Sequence, residues 1–113
     1  MSVRLRLDKP WQDLTAESAA RLPGQLGVYQ VADGDGAVLF IGQAGARSPF
    51  GLRSELQREF RKRGTGFRFR VEVNQQYRSR WFELLMVHQA DHGALPPDNQ
   101  KDPPPNLGRL SPN

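Results

Sequence analysis

Gly27-Val28-Tyr29-Gln30-Val31 and Ala37-Val38-Leu39-Phe40-Ile41, joined through Asp33-Gly34-Asp35-Gly36, decide how this chain folds. Both runs are rich in β-branched and aromatic residues, and Asp-Gly supplies the positive φ that a tight turn between strands demands. The stretch reads as a β-hairpin. Beyond it, Gly42-Gln43-Ala44-Gly45-Ala46-Arg47-Ser48-Pro49 has the composition of a loop, after which Leu52, Leu56 and Phe60 recur at helical spacing. That helix closes on Arg61-Lys62-Arg63-Gly64, where cations suit the negative end of the dipole and glycine suits a left-handed cap.

Working outward, Phe67, Phe69, Val71 and Val73 alternate with Arg68, Arg70 and Glu72, the pattern of a strand with one buried and one largely basic face. From Arg78 to His92 the pattern is helical, with the apolar run Trp81 to Val87 broken only by Glu83, and Gly93 is placed to cap it. At the other end, Val3, Leu5 and Leu7 alternate with Arg4 and Arg6 as an N-terminal strand that stops at Asp8-Lys9-Pro10. Thr15 can cap a short helix over Ala16 to Leu22, which Pro23-Gly24 ends. Residues 101–113 carry four prolines and no apolar period, the composition of an irregular tail. The fold class is therefore α+β, with residues 1–100 as a single domain.

At 113 residues the chain is long enough for one hydrophobic core and too short for two. It has no cysteine, which removes disulfides, thiolate zinc sites and cysteine nucleophiles together. No apolar run approaches the length that spans a bilayer, and the charged, alternating start is unlike a signal peptide, so the reading is a cytoplasmic protein with no membrane partner. Sixteen Lys and Arg against twelve Asp and Glu give a formal charge of +4. The excess is mostly arginine, whose fork matches phosphate oxygens in pairs, so a nucleic-acid partner, DNA first, is one expectation and a merely solvated basic face the other.

Gly27-Val28-Tyr29 on one hairpin arm, Phe40-Ile41-Gly42 on the other, Arg53 on the next helix, Glu83 on the last and Pro96-Pro97-Asp98-Asn99 after it form an ordered set of words. Over residues 23 to 99 this set resembles the GIY-YIG nuclease family. The resemblance implies a three-stranded antiparallel sheet flanked by helices, to which this chain adds its N-terminal strand and helix. It also implies metal-dependent hydrolysis of nucleic-acid phosphodiesters with Mg²⁺ or Mn²⁺. Carried over, Tyr29 would help activate water, Arg53 would stabilise the phosphate and Glu83 would bind the metal, with Gly42 and Asn99 in support. Two positions depart from the pattern. Phe40 stands where the family has its second tyrosine, and alignment by the apolar residues places Glu55 where the family has arginine, leaving Arg47 and Arg58 as substitutes for Arg53.

The same residues have readings that need no family. Tyr29 can be a packing aromatic with its hydroxyl at an edge. Arg53, opening a helix beside a glycine-rich loop, is suited either to an anion or to solvent. Glu83 interrupts an apolar run and must reach water, an arginine or a cation. Arg47, Arg58, Arg61, Lys62 and Arg63, with Arg68 and Arg70 from the strand, can form a phosphate-neutralising strip if the faces agree. His88 and His92 sit four apart with Asp91 between them, but no third metal ligand is evident in the sequence. The rivals to a nuclease are a catalytically inactive nucleic-acid-binding or protein-interaction domain of the same fold, and a purely structural domain.

Overall fold

In the computed structural model, which describes residues 6–101, the chain runs β1 (Gln12–Asp13), α1 (Ala16–Ala20), β2 (Gly27–Ala32), β3 (Val38–Ala44), α2 (Gly51–Arg63), β4 (Arg68–Val73), α3 (Tyr77–His92) and α4 (Pro97–Gln100). The hairpin forms as its turn chemistry demands. Gly36 takes φ +89°, and the Asp33 carboxylate accepts hydrogen bonds from the main-chain N–H groups of Asp35 at 2.9 Å and Ala37 at 3.0 Å.

The strands form one antiparallel sheet in the order β1-β4-β2-β3. β2 is central and buried along its whole length, with Tyr29 opposite Gly42 on one side and Val71 on the other. Alternation along β2 then divides the core into two layers. Tyr29 and Val31 join Phe69, Leu14, Ala19, Leu52 and Leu56 beneath α1 and α2. Val28 joins Ile41, Leu7, Leu84 and Leu85 beneath α3.

The helix ends follow local rules. Thr15 and Ser18 exchange side-chain-to-backbone hydrogen bonds at the start of α1, and Gly64 and Gly93 follow α2 and α3 with φ near +80°, Gly93 as the expected left-handed cap and Gly64, with ψ −153°, extended instead. α1 stops at Ala20, two residues before the expected Leu22, with Arg21 as its cap.

Three expectations are corrected or bounded. The sheet has four strands, not three, because Gln12–Asp13 pairs with Phe69 and Arg68. Two residues carry no readable period. α4, with Pro97 in its first turn, was visible only as a proline-rich word. The N-terminal strand falls mostly on residues 1–5 and the tail mostly on 102–113, outside the described residues, while Leu7 is buried in the α3 layer without strand geometry.

Candidate nucleic-acid interface

The residues marked out by the sequence are distributed over both faces of the sheet. Tyr29 is 1% exposed, and its hydroxyl donates to Glu59 Oε2 on α2 at 3.1 Å. Burial, followed by the charges of Glu59 and Glu55, raises its pKa well above the usual tyrosine value, so the proton stays on the oxygen. Gly42 is required opposite it, since a Cβ there would lie 2.3 Å from the Tyr29 ring carbon Cζ. Phe40 packs 6.0 Å from the Tyr29 ring and contributes no hydroxyl.

Glu83 lies on α3, on the side of the sheet that Tyr29 faces away from. Its carboxylate pairs with Arg80, which also binds Glu72 of β4 at 2.9 Å. Burial alone would raise the Glu72 pKa, but hydrogen bonds from Arg80 and Asn74 hold it below the ordinary glutamate value. The Arg80 guanidinium is thus the cation that the Glu83 carboxylate pairs with in this structure. Among the described residues no group of three or more His, Cys, Asp or Glu side chains is arranged to hold a metal ion. His88 Nδ1 is instead 3.1 Å from Ala94 O, and Asp91 is bridged by Arg6 at 2.7 and 2.8 Å.

Arg53 is half-buried, with Nε donating to Leu22 O at 2.8 Å. Arg63 belongs to the interior: with a side chain only 8% exposed, it donates to Glu59 at 2.8 Å and Asp98 at 2.7 Å. It is withdrawn from the expected phosphate strip because its Nε and Nη2 are engaged by these two carboxylates and its side chain is largely buried. The strand arginines face elsewhere too. Arg70 lies on the α3 side of the sheet, donates to Gln30 at 2.8 Å and stacks 4.0 Å over Trp11, and Arg68 is at the β1 end. Asn99 is buried on α4 and pairs with both main-chain groups of Ile41, accepting at 2.8 Å and donating at 3.0 Å.

What the fold does bring together lies where β3 runs out. Gln43, Gly45, Arg47 and Ser48 of the exit, Glu55 and Arg58 of α2, and Tyr77 and Arg78 opening α3 line a cleft of about 500 Å³. A second cleft of about 350 Å³ shares Arg47, Glu55 and Arg58 with it and adds Phe50 and Arg61. Arg58 and Arg61 are three apart on α2, so they project from one face with Lys62, whose Nζ lies 5.9 Å from the Phe40 ring. Four arginines, 47, 58, 61 and 78, thus surround a single glutamate across the two clefts.

That glutamate is tied down. Glu55 accepts from Ser48 Oγ at 2.6 Å and pairs with Arg58. Glu55 and Glu59 carry a signal that the sequence offered: with Leu52, Leu56 and Phe60 they fill the i, i+3, i+4, i+7, i+8 stripe that faces the core. Acids on such a stripe need interior partners, and these have them. Ser48, Tyr77 and Arg78 had no such signature: Ser48 is one loop residue among several, and only the packing of α3 against the hairpin places Tyr77 and Arg78 beside it.

These features define a small α+β domain whose four-stranded antiparallel sheet carries an arginine-lined cleft at one end. The chain belongs to the family described as a domain of unknown function, DUF7508, which matches residues 5–91 and so takes in the sheet, both clefts and nearly all of α3. Comparison with curated proteins finds no match.

Proposed function

We propose that this domain binds nucleic acid through its phosphates, at the paired clefts, as a GIY-YIG-like fold that does not cut. The observation that carries the reading is the grouping of Arg47, Arg58, Arg61 and Arg78 around one opening in which the single acid, Glu55, is already engaged. Guanidinium groups at an accessible concave surface suit phosphate, because their forked donors match its oxygens in pairs. The hairpin, helix, strand, helix order and the Gly42 to Tyr29 contact support the GIY-YIG likeness.

Cutting in the way the GIY-YIG resemblance implies would bring a hydroxyl, a guanidinium and a metal-bound carboxylate around one phosphorus. Here Tyr29 keeps its proton inside the core, Arg53 is tethered to Leu22, and Glu83 is across the sheet beside Arg80. Binding is therefore placed ahead of hydrolysis, and the Mg²⁺ or Mn²⁺ requirement goes with the hydrolytic reading. The test is a salt titration with a labelled oligonucleotide. Log affinity should fall linearly with log salt, each neutralised phosphate contributing a slope of about −0.7 to −0.9, and Arg47→Ala with Arg61→Ala should flatten it. No binding at low salt would discard the proposal. A plasmid incubated with Mg²⁺ or Mn²⁺ should stay intact, and cutting that Glu83→Ala abolishes would reinstate the nuclease.

A further inference from the structure

Among the described residues Phe50 is the most exposed of the large hydrophobics, at 59%, ahead of Val73 at 47% and Met86 at 46%. It stands in the second cleft with Arg47, Pro49, Arg58 and Arg61. The ring is held outward by the backbone on either side of it. The Phe50 N–H donates to Ser54 Oγ at 2.8 Å, and the Leu52 N–H donates to Gln25 O at 2.8 Å. Between them Gly51 takes φ +55° and approaches Gln25 so closely that a Cβ would come within 2.2 Å of its carbonyl oxygen. These contacts fix the backbone that carries the phenyl group at the entry to α2, where the residue is exposed. Arg53 lies over the ring, its guanidinium carbon 5.9 Å from the centroid, and is itself anchored to Leu22.

We infer that Phe50 is a stacking platform for an unpaired base of single-stranded nucleic acid, with Arg47 and Arg61 taking the flanking phosphates. The inference rests on the nucleic-acid reading of the clefts and adds the strandedness of the ligand and the side chain that selects it. Charge complementarity chooses the occupant: three arginines and an already paired glutamate frame the ring, so the ligand combines negative charge with a flat apolar face. A duplex hides its base faces in the stack, whereas a single strand presents them to an aromatic side chain.

The experiment compares a labelled oligo(dT) with a duplex of equal length at one salt concentration, for the wild-type chain and for Phe50→Ala, Phe50→Trp and Arg61→Ala. The single strand should bind more tightly than the duplex. Phe50→Ala should weaken it by about 5- to 100-fold, the range typical of one stacked base, without altering the salt slope. Phe50→Trp should retain binding. Arg61→Ala should lower the slope by about 0.7, as for one phosphate on a single strand. Because Phe50 is exposed, an unchanged thermal midpoint for its variants verifies that folding is intact. Equal binding of both ligands, or a Phe50→Ala chain that binds oligo(dT) as the wild type does, would overturn the platform while leaving the phosphate reading in place. Binding of neither ligand would remove both. Poly-glutamate of matched charge, bound with the same dependence on Phe50, would reassign the surface to an acidic protein partner.

Discussion

The Tyr29 hydroxyl and Glu59 Oε2 meet at 3.1 Å between β2 and α2, out of reach of solvent. This contact gives a buried carboxylate one of its donors. Tyr29→Phe should therefore cost about 1–3 kcal/mol at neutral pH, read from urea unfolding. The pKa of Tyr29 is raised in the folded state, first by burial and then by Glu59, so the stability linked to its proton is complete below the ordinary tyrosine value of about 10 and lost as pH rises beyond it. The gap between wild type and Tyr29→Phe should narrow above that pH. A constant gap from neutral to strongly alkaline conditions would contradict the assignment.

Arg63 holds two carboxylates at once, Glu59 and Asp98, joining α2 to α4. Arg63→Met leaves Glu59 without the Arg63 cation and Asp98 with Lys101 alone, and should destabilise by roughly 3–5 kcal/mol, whereas Arg61→Ala on the open face should stay within about 0.5 kcal/mol. The acid limb carries a second signature. Burial alone would raise the Asp98 pKa, but Arg63, joined by Lys101, lowers it, so its stabilising share is present above about pH 4 and disappears as pH falls further. In Arg63→Met that part of the acid transition should shrink, in pH-dependent unfolding curves, to the share that Lys101 supplies.

Asn99 satisfies both the N–H and the C=O of Ile41, and Trp81 Nε1 adds a donor to the same oxygen at 2.8 Å. Asn99→Ala should cost about 1–3 kcal/mol, because the buried Ile41 amide loses its acceptor. Hydrogen exchange at Ile41 is the sensitive measurement: its amide should exchange much faster in the variant, while Val31 in the central strand keeps its protection.

Glu55 restrains Arg58 within the cleft. Glu55→Gln should release that guanidinium, tightening nucleic-acid binding at low salt and steepening the salt slope by about 0.7 to 0.9, one more neutralised phosphate. Weaker binding in this variant would mean that Glu55 positions Arg58 for the ligand and does not compete for it.

The legible parts of the fold were those with local causes. Asp33 to Gly36 wrote the hairpin, Gly64 and Gly93 wrote two helix ends, and Phe69 to Val71 wrote a strand. Gln12–Asp13 escaped because a two-residue strand is defined by its partner on β4 and by nothing of its own. The site was less legible. Tyr29 and Glu83 were both noticeable residues, but which face of the sheet each serves depends on the parity of β2 and on where α3 docks, and these separated them. Arg63 looked like Arg61 and Lys62 in a basic run, and only helical phase turned it inward to Glu59. Glu55 and Glu59 went unread, although their place on the Leu52 and Leu56 stripe is a pattern that calls for interior partners.

β3 forms one rim of the sheet, and a rim strand ordinarily offers a ladder on which another chain can assemble. Midway along it, the α4 carboxamide imitates a neighbouring strand and occupies the rung at Ile41. A copy of this domain approaching from that side finds the rung at Ile41 filled, so α4 blocks strand pairing at that point of the edge.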